Sequence, residues 1–205
     1  MELVHRIVYI NLDRRTDRRQ QLEDELQRLA VPAAKVERFA AIAHAEGLIG
    51  CGLSHLAVLR RAREEQWPNV LVLEDDFCAH ADQAQLQQQL ADVFALPGFD
   101  VFMLAYNVLD EGSAASPAHG VVPTRNAQTT SAYLVHRDFY DRLIATWEEG
   151  VALLQREPWR HWDFALDQYW KRLQPEARWF RAVPRIGFQR ASFSDCSQQF
   201  ADHGV

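Results

Sequence analysis

The chain alternates short, fully apolar runs with longer segments in which apolar residues recur every three or four positions. Ile7-Val8-Tyr9-Ile10 is β-branched and aromatic and ends at the polar Asn11 and Asp13, which predicts a buried first strand over Ile7 to Leu12. Leu22, Leu26 and Leu29 then fall on one helical stripe, with Thr16 placed to cap the helix and Pro32 to stop it. Val36 to Ile42 reads as a weaker strand, Leu53 to Arg63 as a helix, and Val70-Leu71-Val72-Leu73 as a strand apolar on both faces.

Asp82 to Phe94 is helical by the spacing of Leu86, Leu90 and Val93, and Phe99 to Ala105 returns as a strand after Pro97-Gly98. Asp110 to Gln128 loses all periodicity and reads as a long surface loop. Ala132 to Val135 resumes as a strand. Asp138 to Leu154 reads as a helix capped by Asp138, His161 to Leu173 as a second helix, and Ala177 to Val183 as a last strand. The tail from Pro184 has no assignable pattern. Strands alternating with helices predict an α/β fold with a mostly parallel central sheet flanked by helices.

At 205 residues the chain is one domain by size. Residues 1–105 form the strand-helix half that would bind a ligand, and 106–205 the remainder. Hydrophobic residues make up 48% and charged residues 24%, an ordinary globular composition, and the net charge of −6 argues against a nucleic-acid partner. Arg14, Arg15, Arg18 and Arg19 run against that balance: they face either a small anion such as a diphosphate or only solvent. Cys51, Cys78 and Cys196 are widely spaced with no CxxC pair, which points to neither a disulfide framework nor a thiolate zinc site. The apolar start is too short for a signal segment and no run approaches the ~18 residues of a membrane span, so a cytoplasmic protein is expected.

The densest chemistry is Glu74-Asp75-Asp76, directly after the apolar strand. In parallel sheets this is the edge where ligands bind. Adjacent carboxylates repel one another, and a hard divalent cation such as Mg²⁺ or Mn²⁺ relieves the repulsion; a solvated turn is the alternative. A metal-dependent phosphohydrolase lacks support here because no hydroxyl follows in the spacing such a nucleophile site requires. In a nucleotide-sugar transferase the cation would bridge carboxylates and diphosphate.

Tyr9 to Arg19 (YINLDRRTDRR), Gly47 to His55 (GLIGCGLSH) and Leu71 to Asp76 (LVLEDD) together resemble the successive motifs of glycosyltransferase family 25, which contains bacterial lipooligosaccharide galactosyltransferases and collagen galactosyltransferase domains. The likeness continues more loosely through Thr129 to Val135, through Asp163 and Asp167, and to Gln189 and Ser194-Asp195; Ser131 departs from it, standing where that family usually has glycine. The resemblance implies a GT-A-type fold, a UDP-hexose donor, a Mn²⁺-type cation, inversion at the anomeric carbon, and a saccharide or glycolipid acceptor as in lipopolysaccharide synthesis. A glycolipid acceptor would bring transient contact with the inner membrane leaflet, although no basic amphipathic helix is present to support it. A catalytically degenerate nucleotide-sugar-binding domain and a metal-dependent phosphohydrolase remain the alternatives.

Roles follow from residue chemistry. Asn11 would read base or ribose, and Arg14 and Arg18 would bind diphosphate bidentately, with Arg15 and Arg19 left to solvent. Ser54 and His55, expected at a helix start, would bind anion or sugar hydroxyls; Ser54 is equally a plain N-cap, and His55, which by itself reads as a packed or hydrogen-bonded residue, becomes a donor-site candidate through the family likeness. Asp76, with Asp75, would hold the metal, and Glu74 and Asp75 would contact ribose or sugar; Thr130 and Gln189 join as substrate-binding residues through the family likeness. Asp163 and Asp167 stand four apart, on one face of the expected helix, and either is a candidate base for the acceptor hydroxyl. Trp159, Trp162, Tyr169 and Trp170 around them are either a sugar-stacking surface or ordinary core.

Overall fold

The computed structural model describes residues 1–108, 120–194 and 199–201. In chain order the elements are β1 Arg6–Asn11, α1 Thr16–Arg28, β2 Val36–Ala40, α2 Gly47–Glu64, β3 Asn69–Glu74, β4 Phe77–Ala79, α3 Gln83–Phe94 and β5 Val101–Val108, then β6 Val121–Pro123, β7 Ala127–His136, α4 Tyr140–Arg156, α5 His161–Phe164, α6 Leu166–Tyr169, β8 Trp179–Ala182, β9 Gly187–Gln189, β10 Ser192–Ser194 and β11 Gln199–Ala201. The main sheet has seven strands in the order β2-β1-β3-β7-β5-β8-β6. Strands β1, β2, β3, β5 and β8 run one way and β6 and β7 the other. The sheet is mostly parallel in direction, with the reversed β7 inserted between β3 and β5. Residues on both sides of position 105 therefore share one sheet.

Period-two alternation sorts the strands between two cores. Ile7, Tyr9, Leu71 and Leu73 face Leu22 and Leu26 of α1 and Leu86 and Leu90 of α3. Val8, Ile10, Val70 and Val72 face Leu56 and Leu59 of α2 and Leu143 and Trp147 of α4. The second core is built around aromatics: Tyr133, Trp147, Trp170 and Trp179 pack edge-on or stacked with centroids 5.1–5.9 Å apart, the separations at which ring quadrupoles attract. Among the described residues no helix is long and apolar enough to cross a membrane.

Several local expectations change. Thr16 is the first residue of α1 rather than its cap; Arg15 holds the cap position, and its amide donates to the Leu12 carbonyl. Helix α2 begins at Gly47, so the glycine-rich segment is helix and not a loop ahead of it. The reason is packing: a Cβ on Gly50 would lie 2.6 Å from the Ile42 carbonyl oxygen, and one on Gly52 would lie 2.7 Å from Val151. These glycines let a helix approach neighbouring backbone and α4 closely.

Of the expected loop Asp110 to Gln128, residues through 119 lie outside the described set, and the rest contains β6 and the start of β7. Asp138 does not cap α4; a 3-10 turn, Arg137–Phe139, precedes that helix, and its cap is His136, whose Nδ1 accepts from the Asp138 amide. The expected helix His161 to Leu173 is broken at Ala165, where φ is −57° and ψ is 150°, and its end tightens into a 3-10 segment, Trp170–Glu176.

Candidate functional site

Parallel pairing sets Tyr9 beside Leu73 and Ile10 beside Glu74, so β1 and β3 end together and deliver Asn11 and the three carboxylates to one edge. Asn11 is almost fully buried. Its Nδ2 donates to Asp75 Oδ2 at 2.8 Å and to the Arg15 carbonyl at 3.0 Å, while Oδ1 accepts from Arg38 Nε at 3.0 Å. With both ends of its amide engaged, Asn11 positions Asp75 rather than presenting itself to a nucleotide.

Arg18 is 8% exposed. Its Nη1 donates to Asp75 Oδ1 at 2.8 Å and Asp76 Oδ2 at 3.3 Å, and its Nη2 donates to Ser192 Oγ and to the Phe193 carbonyl at 2.9 Å. Arg15 also reaches the Phe193 carbonyl, at 3.1 Å. The tail thus crosses the carboxylate edge: Gln189 Nε2 donates to Asp76 Oδ2 at 3.1 Å, and the Arg190 amide to the Asp76 carbonyl at 2.8 Å. Arg14 is exposed at the turn after β1.

Glu74 receives Thr130 Oγ1 at 2.5 Å and lies 3.4 Å from His55 Nε2. Thr130 reaches it because β7 bulges. The β5–β7 ladder breaks register between Asn107–Gln128 and Ala105–Ala132, and Thr129 has φ of +87°. Bulges re-aim side chains, and positive φ in a β-branched residue is strained geometry that collects at functional sites. The Thr129 amide donates to Asp167 Oδ2 at 3.2 Å, which draws Asp167 into the same group.

Ser54 and His55 lie inside α2 and are fully buried. Ser54 Oγ accepts from the Ile42 amide at 2.8 Å and donates to the Gly50 carbonyl at 2.7 Å, which makes it an internal tie and not a helix-start anion site. His55 Nδ1 is 2.7 Å from the Tyr133 hydroxyl, and its ring packs against Tyr133 and Trp147.

The carboxylates are not equivalent. Burial opposes ionisation of Glu74, but the neighbouring His55 and the Thr130 hydroxyl hold its carboxyl below the usual range. Burial raises Asp75, with Arg18 and Asn11 pulling against it. Burial and the Glu74 charge push Asp76 up to about 7, only partly offset by Arg18. Asp76 Oδ1 is buried with no hydrogen-bond partner among the described residues. The three carboxylates thus outnumber the single guanidinium, Arg18, that pairs with Asp75 and Asp76.

Asp163 and Asp167 do not share a helix face, because the break at Ala165 intervenes. Asp163 is half-exposed and paired with Arg160 at 2.9 Å. Asp167 is partly buried beside Thr129, and burial raises its carboxyl. Tyr169 and Trp170 are core residues, while Trp159 and Trp162 are 71% and 76% exposed. An apolar cavity lined by Ile7, Leu26, Leu71 and Leu104 lies inside the core and takes no part in the site.

Arg15, expected to be left to solvent, instead joins the site. Tyr133 lies in the Thr129 to Val135 stretch but had no role assigned, and Arg38 and Ser192 join without a sequence expectation. Arg38 sits on β2 next to β1 by parallel register, and Ser192 in a tail without periodicity; neither carried a signal.

No protein-family model matches the chain, and no curated protein does. Among solved structures it resembles a glycosyltransferase involved in glycosylation of the major capsid of PBCV-1, with a TM-score of 0.55 and 10% identity over 89% of this chain and 91% of that one. Weaker likenesses are to the glycosyltransferase GlyE of Streptococcus pneumoniae TIGR4 (TM-score 0.49, 10% identity, 87% of this chain and 45% of that one) and a putative nucleotide-diphospho-sugar transferase of Desulfovibrio desulfuricans G20 (0.46, 10%, 87% and 80%). The chain has an α/β fold of GT-A type, and its acidic group stands at the sheet edge where that architecture binds ligands.

Proposed function

We propose that the protein is a family 25-type glycosyltransferase that moves a hexose, galactose or glucose, from a UDP-sugar to a saccharide or glycolipid acceptor with inversion, as in lipopolysaccharide synthesis. The observation that carries the reading is Arg18 clamped across Asp75 and Asp76 at the shared end of β1 and β3. It unites two of the three motifs that carry the family likeness, and the third supplies His55 beside Glu74.

A divalent cation, Mn²⁺ or Mg²⁺, fits the donor set. Asp76 offers a buried Oδ1 without a partner among the described residues, in a cluster short of positive charge, and oxygen ligands suit a hard cation. Asp76, with Asp75 beside it, would hold the ion, and the bound ion would neutralise charge on the departing diphosphate. Arg14, exposed at the turn after β1, suits the donor phosphates by its guanidinium chemistry, while Arg18 holds the carboxylates in place. Asp167 is the candidate for the acceptor's proton, because it reaches the carboxylate group through Thr129, and burial raises its carboxyl, which makes it a stronger base. Trp159 and Trp162 expose rings on which an acceptor sugar or a leaflet surface would rest.

The test is release of UDP from UDP-galactose and UDP-glucose, with and without saccharide acceptors. Asp76→Asn is expected to fold and to lose both turnover and metal-dependent donor binding. Turnover retained in Asp76→Asn overturns the metal assignment. Donor binding without turnover on any acceptor indicates a degenerate binding domain, and release of inorganic phosphate indicates a phosphohydrolase.

A further inference from the structure

Below the carboxylate edge, one side-chain cluster has a different chemistry. Cys51 and His55 are one turn apart on α2, so they share a face, and that face meets Glu74 at the end of β3. The Cys51 sulfur, a His55 ring nitrogen and a Glu74 oxygen all lie within 4.8 Å of one another. We infer that Cys51, His55 and Glu74 form a binding site for a borderline-soft divalent cation of the Zn²⁺ class, separate from the hard-cation site assigned to Asp76.

Three observations carry it. His55 Nε2 is fully buried and makes no hydrogen bond among the described residues, although it faces Glu74 at 3.4 Å. That distance is the edge of a tetrahedron with metal bonds of ~2.0–2.2 Å to nitrogen and oxygen. A proton shared directly between the two atoms would draw them closer.

The opposite ring nitrogen, Nδ1, lies 2.7 Å from the Tyr133 hydroxyl, and Thr130 donates to Glu74. Metal-bound histidines and carboxylates are commonly oriented by partners of this kind. If Nδ1–H donates to Tyr133, the Nε2 lone pair points at Glu74, an arrangement that a cation between them makes favourable.

His55 forms the floor, while Cys51 and Glu74 are partly exposed and leave an entrance. Thiolate and imidazole ligands select Zn²⁺ over Mg²⁺ or Mn²⁺. On binding, the Cys51 thiol gives its proton to solvent, so thiolate and carboxylate together balance the ion's charge. Three protein ligands leave a fourth position for water, and the ion ties α2 to the end of β3. This inference stands on the cluster alone and does not depend on the sugar-transfer reading.

The experiment is Co²⁺ titration of the chelator-treated full chain without nucleotide. One equivalent is expected to give a thiolate-to-cobalt charge-transfer band with four-coordinate d–d bands, both removed by one equivalent of Zn²⁺. Cys51→Ser is expected to lose the charge-transfer band, and the double variant Cys78→Ser, Cys196→Ser to keep it. X-ray absorption of the wild-type zinc form, which needs no variant to fold, is expected to show one sulfur at ~2.3 Å. An all-oxygen shell, no charge-transfer band in the wild type, or a band that survives in Cys51→Ser overturns the assignment. Donor binding is not measured, so neither result bears on the proposed transfer.

Discussion

Asp167 and Asp163 separate two roles that a carboxylate can take within a few residues of sequence. Asp163 is half in solvent and held by Arg160, whereas Asp167 is tied to the strained Thr129 backbone beside the Thr130–Glu74 contact. Asp167→Asn is expected to lower kcat by about 10²–10⁴, the usual contribution of a positioned base, with donor binding retained. Asp163→Asn is expected to keep kcat near the wild-type value. Steady-state kinetics with direct donor titration decides it. A second residue-scale prediction concerns Glu25, which accepts the buried Ala79 amide at 2.8 Å and pairs with Arg28. Burial opposes its ionisation, but these partners hold its carboxyl below the usual range. Its contribution is thus complete above the unfolded pKa of about 4.3 and is lost as pH falls through the lower folded value, because the unfolded chain binds the proton first. Glu25→Gln is expected to cost roughly 1–3 kcal/mol at neutral pH, and the difference from wild type should shrink in acid, as read by urea unfolding at each pH.

At the scale of elements, α2 is a helix whose glycines are required by contact rather than by a turn. Gly50→Ala places a methyl against the Ile42 carbonyl, a backbone atom that cannot swing aside. Overpacking of this kind costs about 1–3 kcal/mol; at 2–4 °C per kcal/mol, the expected fall in Tm is roughly 2–12 °C, checked by calorimetry. The strand and helix order was legible in the sequence because apolar runs such as Val70 to Leu73 and stripes such as Leu22–Leu26–Leu29 have one dominant period each. The glycine-rich start of α2 was not, since glycine has a low intrinsic helix preference and only Ile42 and Val151, distant in sequence or across a turn, explain its presence. The break at Ala165 was hidden for the opposite reason: His161 to Leu173 keeps a helical pattern through it, and no Gly or Pro marks the interruption. At the site, the acidic triplet and the arginines were legible as chemistry following a strand. Arg38 and Ser192 were not, because register and the path of an aperiodic tail brought them there.

Across the whole molecule, the site joins elements far apart in the chain: β1 and α1, the end of β3, the bulge of β7, and β9–β10. Arg18 is the hub, contacting Asp75, Asp76, Ser192 and Phe193. Arg18→Met leaves two buried carboxylates without their cation, and breaking a buried pair in this way costs about 3–5 kcal/mol. Chemical denaturation should show that loss, and a divalent cation should recover part of it if Asp75 and Asp76 are its ligands. The central claim, a nucleotide-sugar site at this edge, is tested most directly by thermal unfolding with UDP, UDP-galactose and UDP-glucose, each with and without Mn²⁺. At a ligand concentration ~100 times Kd the predicted stabilisation is about 2.7 kcal/mol, a rise in Tm of roughly 5–11 °C for a chain of this size, and it should require the cation. An unchanged Tm with every nucleotide, with or without Mn²⁺, would contradict the account.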